Sequence, residues 1–555
     1  MSVFSFYHYL IFFKSNINIL FMLNSFSHFF KKNYVKILFL FIIILCVLLR
    51  IQHLDKSLQK DETPFFEASR NLYTIKIPLH SEGYYYDSGE LVKSHCRSPL
   101  FLLYLGSFIN IFGLNEVALR LSIVIISVLT VALMYFVGSM IGGKKLGLIS
   151  SFLLAISRLH VEHSQIIDTD GSVLTFLTLL SIFFLLKLWK SNKGRYIIFS
   201  SITIAAAFLV KEPILLIFPP LFLYHFQKRD LLNFFAILIF SILFSIVSLL
   251  LFSYFSSTDF LGCSIRWISS FVFNRAANPE YYQNRLFQFI GISSWDLTPP
   301  LLILLILSIF HLFKLKNVFR FFIYFTIIFF TFYIAIMGIT RYFVPILPVT
   351  SLLIGYFILE SKILSKPKNI VLVSIIALLC IAAFYLFRIR TDVLFLNDIS
   401  KNLYLISIPY ILSVIPLVLY FTRYRRLAIL VLFGMLIGYN IYFAQEAVNP
   451  LVSPDYGKVT VETSDFIKTN SLQDPLVTNH DIGFYAHTRY YDILGPFMSA
   501  QYLKDLTSEH KPLYVVYRTN TVIIQPGVEE FLETKCQKIG SGISRNIEIF
   551  KAYRC

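Results

Sequence analysis

Apolar residues in this chain come in blocks of about twenty, separated by short loops rich in lysine and arginine. This pattern constrains the fold most, because about 20 residues of helix cross a hydrocarbon core in which every backbone polar group must be paired internally. Hydrophobic residues make up 56% of the 555, and mean hydropathy is +0.69, more apolar surface than one soluble core of this length needs. An outer-membrane barrel would show weak ten-residue alternations instead. The expected class is an all-α polytopic membrane protein.

Thirteen spans are read at 34–51, 117–141, 145–163, 171–189, 196–211, 212–226, 232–256, 298–315, 320–338, 342–360, 369–388, 402–421 and 426–444. With these, the basic loops fall on one side: Lys31-Lys32, Lys144-Lys145, Lys187 to Arg195, Lys228-Arg229, Lys314 to Arg320, Lys362 to Lys368 and Arg423 to Arg426. The positive-inside rule makes that side cytoplasmic. A multi-pass cell-membrane protein follows, its N-terminus cytoplasmic and its C-terminal region extracytoplasmic. The net charge of +17 thus orients the chain in the bilayer, and nucleic acid is not an expected partner. The short run PLFLLYLGSFINIFG, 99–113, would break the alternation as a span, so it is expected to lie in or dip into the outer leaflet. Residues 1–33 read as an interfacial segment or an extension, with Met22 as an alternative start.

Three regions then face outward: the loop 52–98, the loop 257–297, and residues 445–555. The last is polar, and short β-rich runs (PLVTNH, PLYVVYR, NTVIIQ, IEIFKAY) accompany a helical stretch, VETSDFIKTN. A small α/β domain of about 100 residues is expected there. It holds Cys536 and Cys555, for which a disulfide and free thiols are both open readings.

Acidic residues are scarce, 32 in 555, yet QKDETPFFEASRNL (59–72) places Asp61, Glu62 and Glu67 on the first outer loop. SQIIDTDGS brings Asp168 and Asp170 to the next outer turn, and His80, His95, Arg97, His160, His163, Lys211, Arg341 and Tyr342 are expected at the same level. Carboxylates can take a proton from an incoming hydroxyl, while Arg and Lys stabilise phosphate, so this mixture suits a charged lipid head group. Plainer readings stand beside it. Loop acids are usually solvated, Asp170 has the place of an N-cap, and Arg97 and Arg341-Tyr342 have the place of interfacial anchors. HVEH (160–163) has i, i+3 spacing and no clear third ligand, so no metal site is expected.

In order along the chain come a first span, Asp61-Glu62 with a downstream Arg-Asn-Leu, Arg97 before Ser98-Pro99-Leu100, FGLNEVALRLS, SQIIDTD, LVKEP and RYFVPILP. Over residues 34–360 this resembles the GT-C glycosyltransferases of the protein O-mannosyltransferase and aminoarabinose lipid A transferase superfamily. The resemblance implies a GT-C catalytic domain at 34–444 and an extracytoplasmic domain at 445–555. It implies an inverting transfer of sugar from a polyprenyl-phosphate donor to a hydroxyl or phosphate of a protein, lipid or envelope glycan. It further implies Asp61 as base and Asp170 as its partner, supported by Glu62 and Asp168. Arg97, Lys211 and Arg341 would hold donor phosphate, and His80, His95, His163 and Tyr342 would touch substrate. No cofactor is implied, since the lipid-linked sugar is a substrate and no metal is required. Two departures stand out: Ser98 replaces the first proline of a Pro-Pro-Leu, and LVKEP replaces a Lys-Gly turn. A lipid or glycan flippase is the alternative, and it would need mid-span ionisable residues and repeated, broken helices. A receptor working through residues 445–555 is a third reading, which leaves the first-loop acids unexplained.

Overall fold

The computed structural model describes residues 33–52, 54, 58, 62–80, 93–94, 97–113, 115–266, 297–313, 317–336, 340–387, 403–448, 456–472, 476–478, 491–492, 500–509, 512–518, 527–544 and 547–555. Each of the thirteen apolar runs is helical over most of its length. Helix α1 (Asn33–Leu48) leads to α2 (Thr63–Thr74), a two-residue ribbon of β1 (Leu79–His80) and β2 (Lys93–Ser94), and α3 (Pro99–Phe112). Helices α2 and α3 pack closely: a Cβ on Gly106 would lie 2.3 Å from the Tyr73 ring.

Helix α4 (Glu116–Ile156) starts where the Asn115 side chain accepts a hydrogen bond from Ala118 N at 2.7 Å, an N-cap. It is two legs rather than one rod. Gly142 and Gly143 leave helical geometry, Gly143 at φ 82°, which only glycine adopts freely. The legs then fold back so tightly that a Cβ on Gly138 would meet Gly147 Cα at 2.8 Å. The second leg ends at Ile156, earlier than the run 145–163 suggests. A break at Ser157 (φ −59°, ψ 118°) separates it from the short α5 (Arg158–Glu162).

There follow α6 (Ser172–Ser191), α7 (Arg195–Val210), a 3-10 turn (Glu212–Ile217), α8 (Phe218–Lys228) and α9 (Leu231–Ser256). Next come α10 (Pro299–Leu312), α11 (Asn317–Ile336), a 3-10 segment (Thr340–Ile346), α12 (Leu347–Glu360), α13 (Pro367–Phe387), α14 (Leu403–Tyr420) and α15 (Arg425–Val448). Among the described residues, five helices are long and apolar enough to cross a membrane, α4 with both legs counted once, and seven shorter helices are apolar. One continuous hydrophobic core reaches from α1 to α15. The faces turned away from it, such as Leu232, Phe235, Ile239 and Leu243 on α9, are exposed and apolar, as lipid contact requires.

The region 456–555 is different in kind. Helices α16 (Tyr456–Thr469), α17 (Ala500–Glu509) and α18 (Val528–Lys535) accompany strands β3 (Leu476–Thr478), β4 (Tyr491–Asp492), β5 (Tyr514–Arg518), β6 (Gln537–Ser544) and β7 (Ile547–Arg554). The sheet order is β4-β3-β5-β7-β6, with β3 parallel to both neighbours and β7 antiparallel to both of its own. This is the expected α/β architecture, and Cys536 and Cys555 are bridged. Three of the β-rich runs carry strands; NTVIIQ lies outside the described residues, and β4 and β6 fall outside the runs read from the sequence.

Candidate active site

The turn 163–171 between α5 and α6 carries two buried acids. Asp168 Oδ2 meets His163 Nδ1 at 2.7 Å, while its Oδ1 is buried and has no hydrogen-bond partner among the described residues. Asp170 forms a salt bridge with Lys211, and Arg341 Nε stands 3.7 Å from the same Oδ2. Asp170 is not the N-cap of α6: that position is Gly171, and no side chain caps it. The backbone must pass close to the acids here, since a Cβ on Gly171 would lie 2.5 Å from Asp168 Oδ1 and 3.1 Å from His163 O.

Electrostatics separate the two acids. Burial opposes ionisation of Asp168, but the charge and hydrogen bond of His163, with Arg341 and Lys211 nearby, hold it below the usual carboxylate range. Burial likewise opposes protonation of His163, and Asp168 overcomes it, raising the imidazole above its ordinary value. At Asp170 burial prevails and pushes the carboxyl up; Lys211 and Arg341 oppose it, and the Asp168 charge adds to it. Neighbouring carboxyls driven apart in this way suit acid–base work.

The cations come from three places. Lys211 ends α7 with an extended backbone (φ −164°, ψ 147°), and Glu212-Pro213 opens the following 3-10 turn. An extended residue sends consecutive side chains to opposite sides. Lys211 accordingly reaches Asp170, whereas Glu212 pairs with Arg97 Nη2 at 3.4 Å. Lys211 Nζ also lies 5.2 Å from the Tyr342 ring centroid and the Arg341 guanidinium 5.7 Å, while Tyr342 stacks on Tyr333 at 5.1 Å. The structure thus groups Asp168, Asp170, His163, Lys211, Arg341 and Tyr342 directly, and brings in Arg97 through Glu212.

The loop after α1 is fastened to this turn by Glu62. One carboxylate oxygen accepts from Ile167 N at 2.9 Å, and the other pairs with Arg120 Nη2 at 2.8 Å. Arg120 Nε donates to Gln165 O at 3.0 Å, and Gln165 Nε2 donates to the carbonyls of Arg50 (2.7 Å) and Gln52 (2.6 Å). Glu62 therefore joins two loops at a point one residue from Asp61 and one residue from Asp168. Asp61 and His95 lie outside the described residues, and His80 is described only as part of β1. His160 stands behind the site, its Nδ1 at 2.8 Å from Arg50 Nη2; Arg50 also donates to Ser127 Oγ and to the carbonyls of Cys46 and Ala155. Among the described residues, no group of three or more His, Cys, Asp or Glu side chains could hold a metal.

Arg50, Arg120, Gln165, Glu212 and Tyr333 were not singled out by the sequence. A charge inside an apolar run, as in VLLRIQ and VALRLS, was the available signal for the two arginines.

The profile of the dolichyl-phosphate-mannose-protein mannosyltransferase family matches residues 96–255. A crystal structure of ArnT from Cupriavidus metallidurans bound to undecaprenyl phosphate superposes with a TM-score of 0.58, at 14% identity over 94% of this chain and 98% of that one. The chain has the GT-C fold. An apo oligosaccharyltransferase from Archaeoglobus fulgidus shares this GT-C architecture at a TM-score of 0.55 and 13% identity, over 88% of this chain and 70% of that one. The archaeal oligosaccharyltransferase AglB from the same organism, in complex with an inhibitory peptide and a dolichol-phosphate, gives 0.50 and 13%, with the same coverage. No curated protein matches the chain by sequence.

Proposed function

We propose that this protein is an inverting glycosyltransferase that moves a sugar from a polyprenyl-phosphate donor to an extracytoplasmic acceptor. The observation that carries this reading is the buried Asp170, held by Lys211 and Arg341, on the same turn as Asp168 and three residues past the Ile167 N–H that Glu62 accepts. An acceptor oxygen attacks the anomeric carbon, the bond from that carbon to the phosphate oxygen breaks, and polyprenyl phosphate leaves. In this reading Asp61 takes the acceptor's proton, Asp170 orders Lys211 and Arg341, and those cations with Arg97 stabilise the departing phosphate. The solved structures of this fold in complex with undecaprenyl phosphate and with a dolichol-phosphate support a lipid phosphate as the leaving group.

A cleft supports the lipid part. A cavity of about 520 Å³ opens between α7, α8 and α9, lined by apolar side chains that include Phe208, Leu215, Phe218, Leu249 and Ile265. Leu215 lies four residues past Lys211, so an apolar tail in the cleft leaves its head group near the cations. The topology proposed from the basic loops puts this site on the outer side, with residues 445–555 beside it.

The test is to incubate the purified protein with a panel of polyprenyl-phosphate sugars and a mixed acceptor extract. One donor is expected to be consumed with release of polyprenyl phosphate. Lipid-linked sugar crossing the bilayer of reconstituted vesicles, with none consumed, would replace this reading by a flippase.

A further inference from the structure

Helix α5 is only five residues long, and its first N–H groups have no carbonyl of their own helix to meet. A side chain at the preceding residue normally supplies the acceptor, but Ser157 makes no such bond. The acceptor comes instead from the last membrane helix. Asn440 Oδ1 on α15 accepts the Arg158 N–H at 3.0 Å, across 282 residues of sequence, and Asn440 Nδ2 donates to Leu436 O at 2.9 Å. Asn440 is 3% exposed. A buried amide is costly unless both ends are bonded, and both are.

The surrounding contacts run in the same direction. The Arg158 guanidinium lies 5.6 Å from the Phe443 ring centroid, three residues beyond Asn440, and Val161 packs on Ala444 with Leu49. Residues 440–444 of α15 therefore grip α5 along its length. The next residue after α5 is His163, whose N–H donates to Leu159 O and whose ring holds Asp168.

We propose that Asn440 is a positioning residue for the acid turn: it caps α5 in trans and so sets where His163 and Asp168 stand relative to Asp170 and Lys211. The last helix, from which residues 445–555 continue, thereby becomes part of the support of the reacting groups. The activity arm of the test rests on the glycosyltransferase reading, while the exchange arm does not.

The experiment compares full-length wild type, Asn440→Leu and Asn440→Asp in nanodiscs; aspartate keeps the acceptor oxygen and leucine removes it. Amide hydrogen exchange is expected to accelerate about tenfold over residues 158–164 in Asn440→Leu, with α6 unchanged, and to return toward wild type in Asn440→Asp. Transfer should show kcat reduced about tenfold with the donor KM within about twofold, again restored by aspartate. Unchanged exchange in Asn440→Leu would overturn the proposal, as would equal loosening of α4, α6 and α15, or an Asn440→Asp protein no better than Asn440→Leu. A wild type that transfers no sugar would defeat the functional reading, while the exchange arm would still decide whether the cap exists.

Discussion

Glu62 and Asp168 are both buried acids on turns outside the apolar runs, 1% and 3% exposed, yet their surroundings differ. Both Glu62 oxygens are engaged, one by the Ile167 N–H and one by Arg120, which is itself 2% exposed. Asp168 has one oxygen on His163 and one with no hydrogen-bond partner among the described residues. A buried acid whose oxygens are all bonded acts as a fastener, because moving either partner strands a charge. One with an open oxygen beside cations keeps capacity for another ligand. Burial of a carboxylate alone does not distinguish the two; the count of its partners does.

The sharpest way to break this contrast is Arg120→Met, which removes the Arg120 guanidinium from the buried Glu62 carboxylate. We expect a loss of about 3–5 kcal/mol, read from thermal unfolding in detergent. Adding Glu62→Gln should recover part of it, and a single variant as stable as wild type would mean that Glu62 fastens nothing.

Gly171→Ala acts on the other acid. Its Cβ would press on Asp168 Oδ1 and His163 O, so a destabilisation of about 1–3 kcal/mol should accompany reduced transfer. Equal activity and stability would show that the turn has room to spare.

The His163–Asp168 pair gives a pH signature. Asp168 is lowered, so its contribution is complete above the unfolded carboxylate value of about 3.9 and is lost as pH falls through its folded value. His163 is raised, so its contribution is complete below about 6.5 and is lost as pH rises through its folded value. The stability difference between wild type and His163→Gln/Asp168→Asn should therefore be greatest between about pH 4 and 6.5. A difference that does not shrink on either side of that window, in more acidic and in more alkaline solution, would contradict the pairing.

The smallest effect belongs to the exposed acids of the C-terminal α/β region. Lys551 lies 2.8 Å from Glu529, but that carboxylate side chain is 54% exposed. Glu529→Gln should change stability by less than about 1 kcal/mol, measured by denaturant unfolding of the full chain, and a larger change would blur the distinction between buried and solvated acids.

Much of the architecture was legible beforehand because hydropathy is a local signal. All thirteen apolar runs are helical over most of their length, and the Gly142-Gly143 break between the two legs of α4 agrees with the basic turn at Lys144-Lys145. The topology read from the basic loops puts Asp170, Lys211, Arg341 and Tyr342 at one level of the membrane, and these residues lie together. What escaped was the support around it. Arg120 reaches Glu62 across 58 residues, Arg50 reaches His160 across 110, and Asn440 reaches Arg158 across 282. No periodicity records such pairings, because each partner looks ordinary where it stands. Glu212 illustrates the same limit: LVKEP departs from a Lys-Gly turn, but the role of Glu212 as the partner of Arg97 depends on a fold that brings residues 97 and 212 together.

Asp170 is the residue on which the proposed transfer depends most directly. Purified Asp170→Asn protein should still bind the donor that wild type consumes, yet release polyprenyl phosphate at least about a thousandfold more slowly. Turnover within about tenfold of wild type would contradict the central claim that this turn organises the transfer.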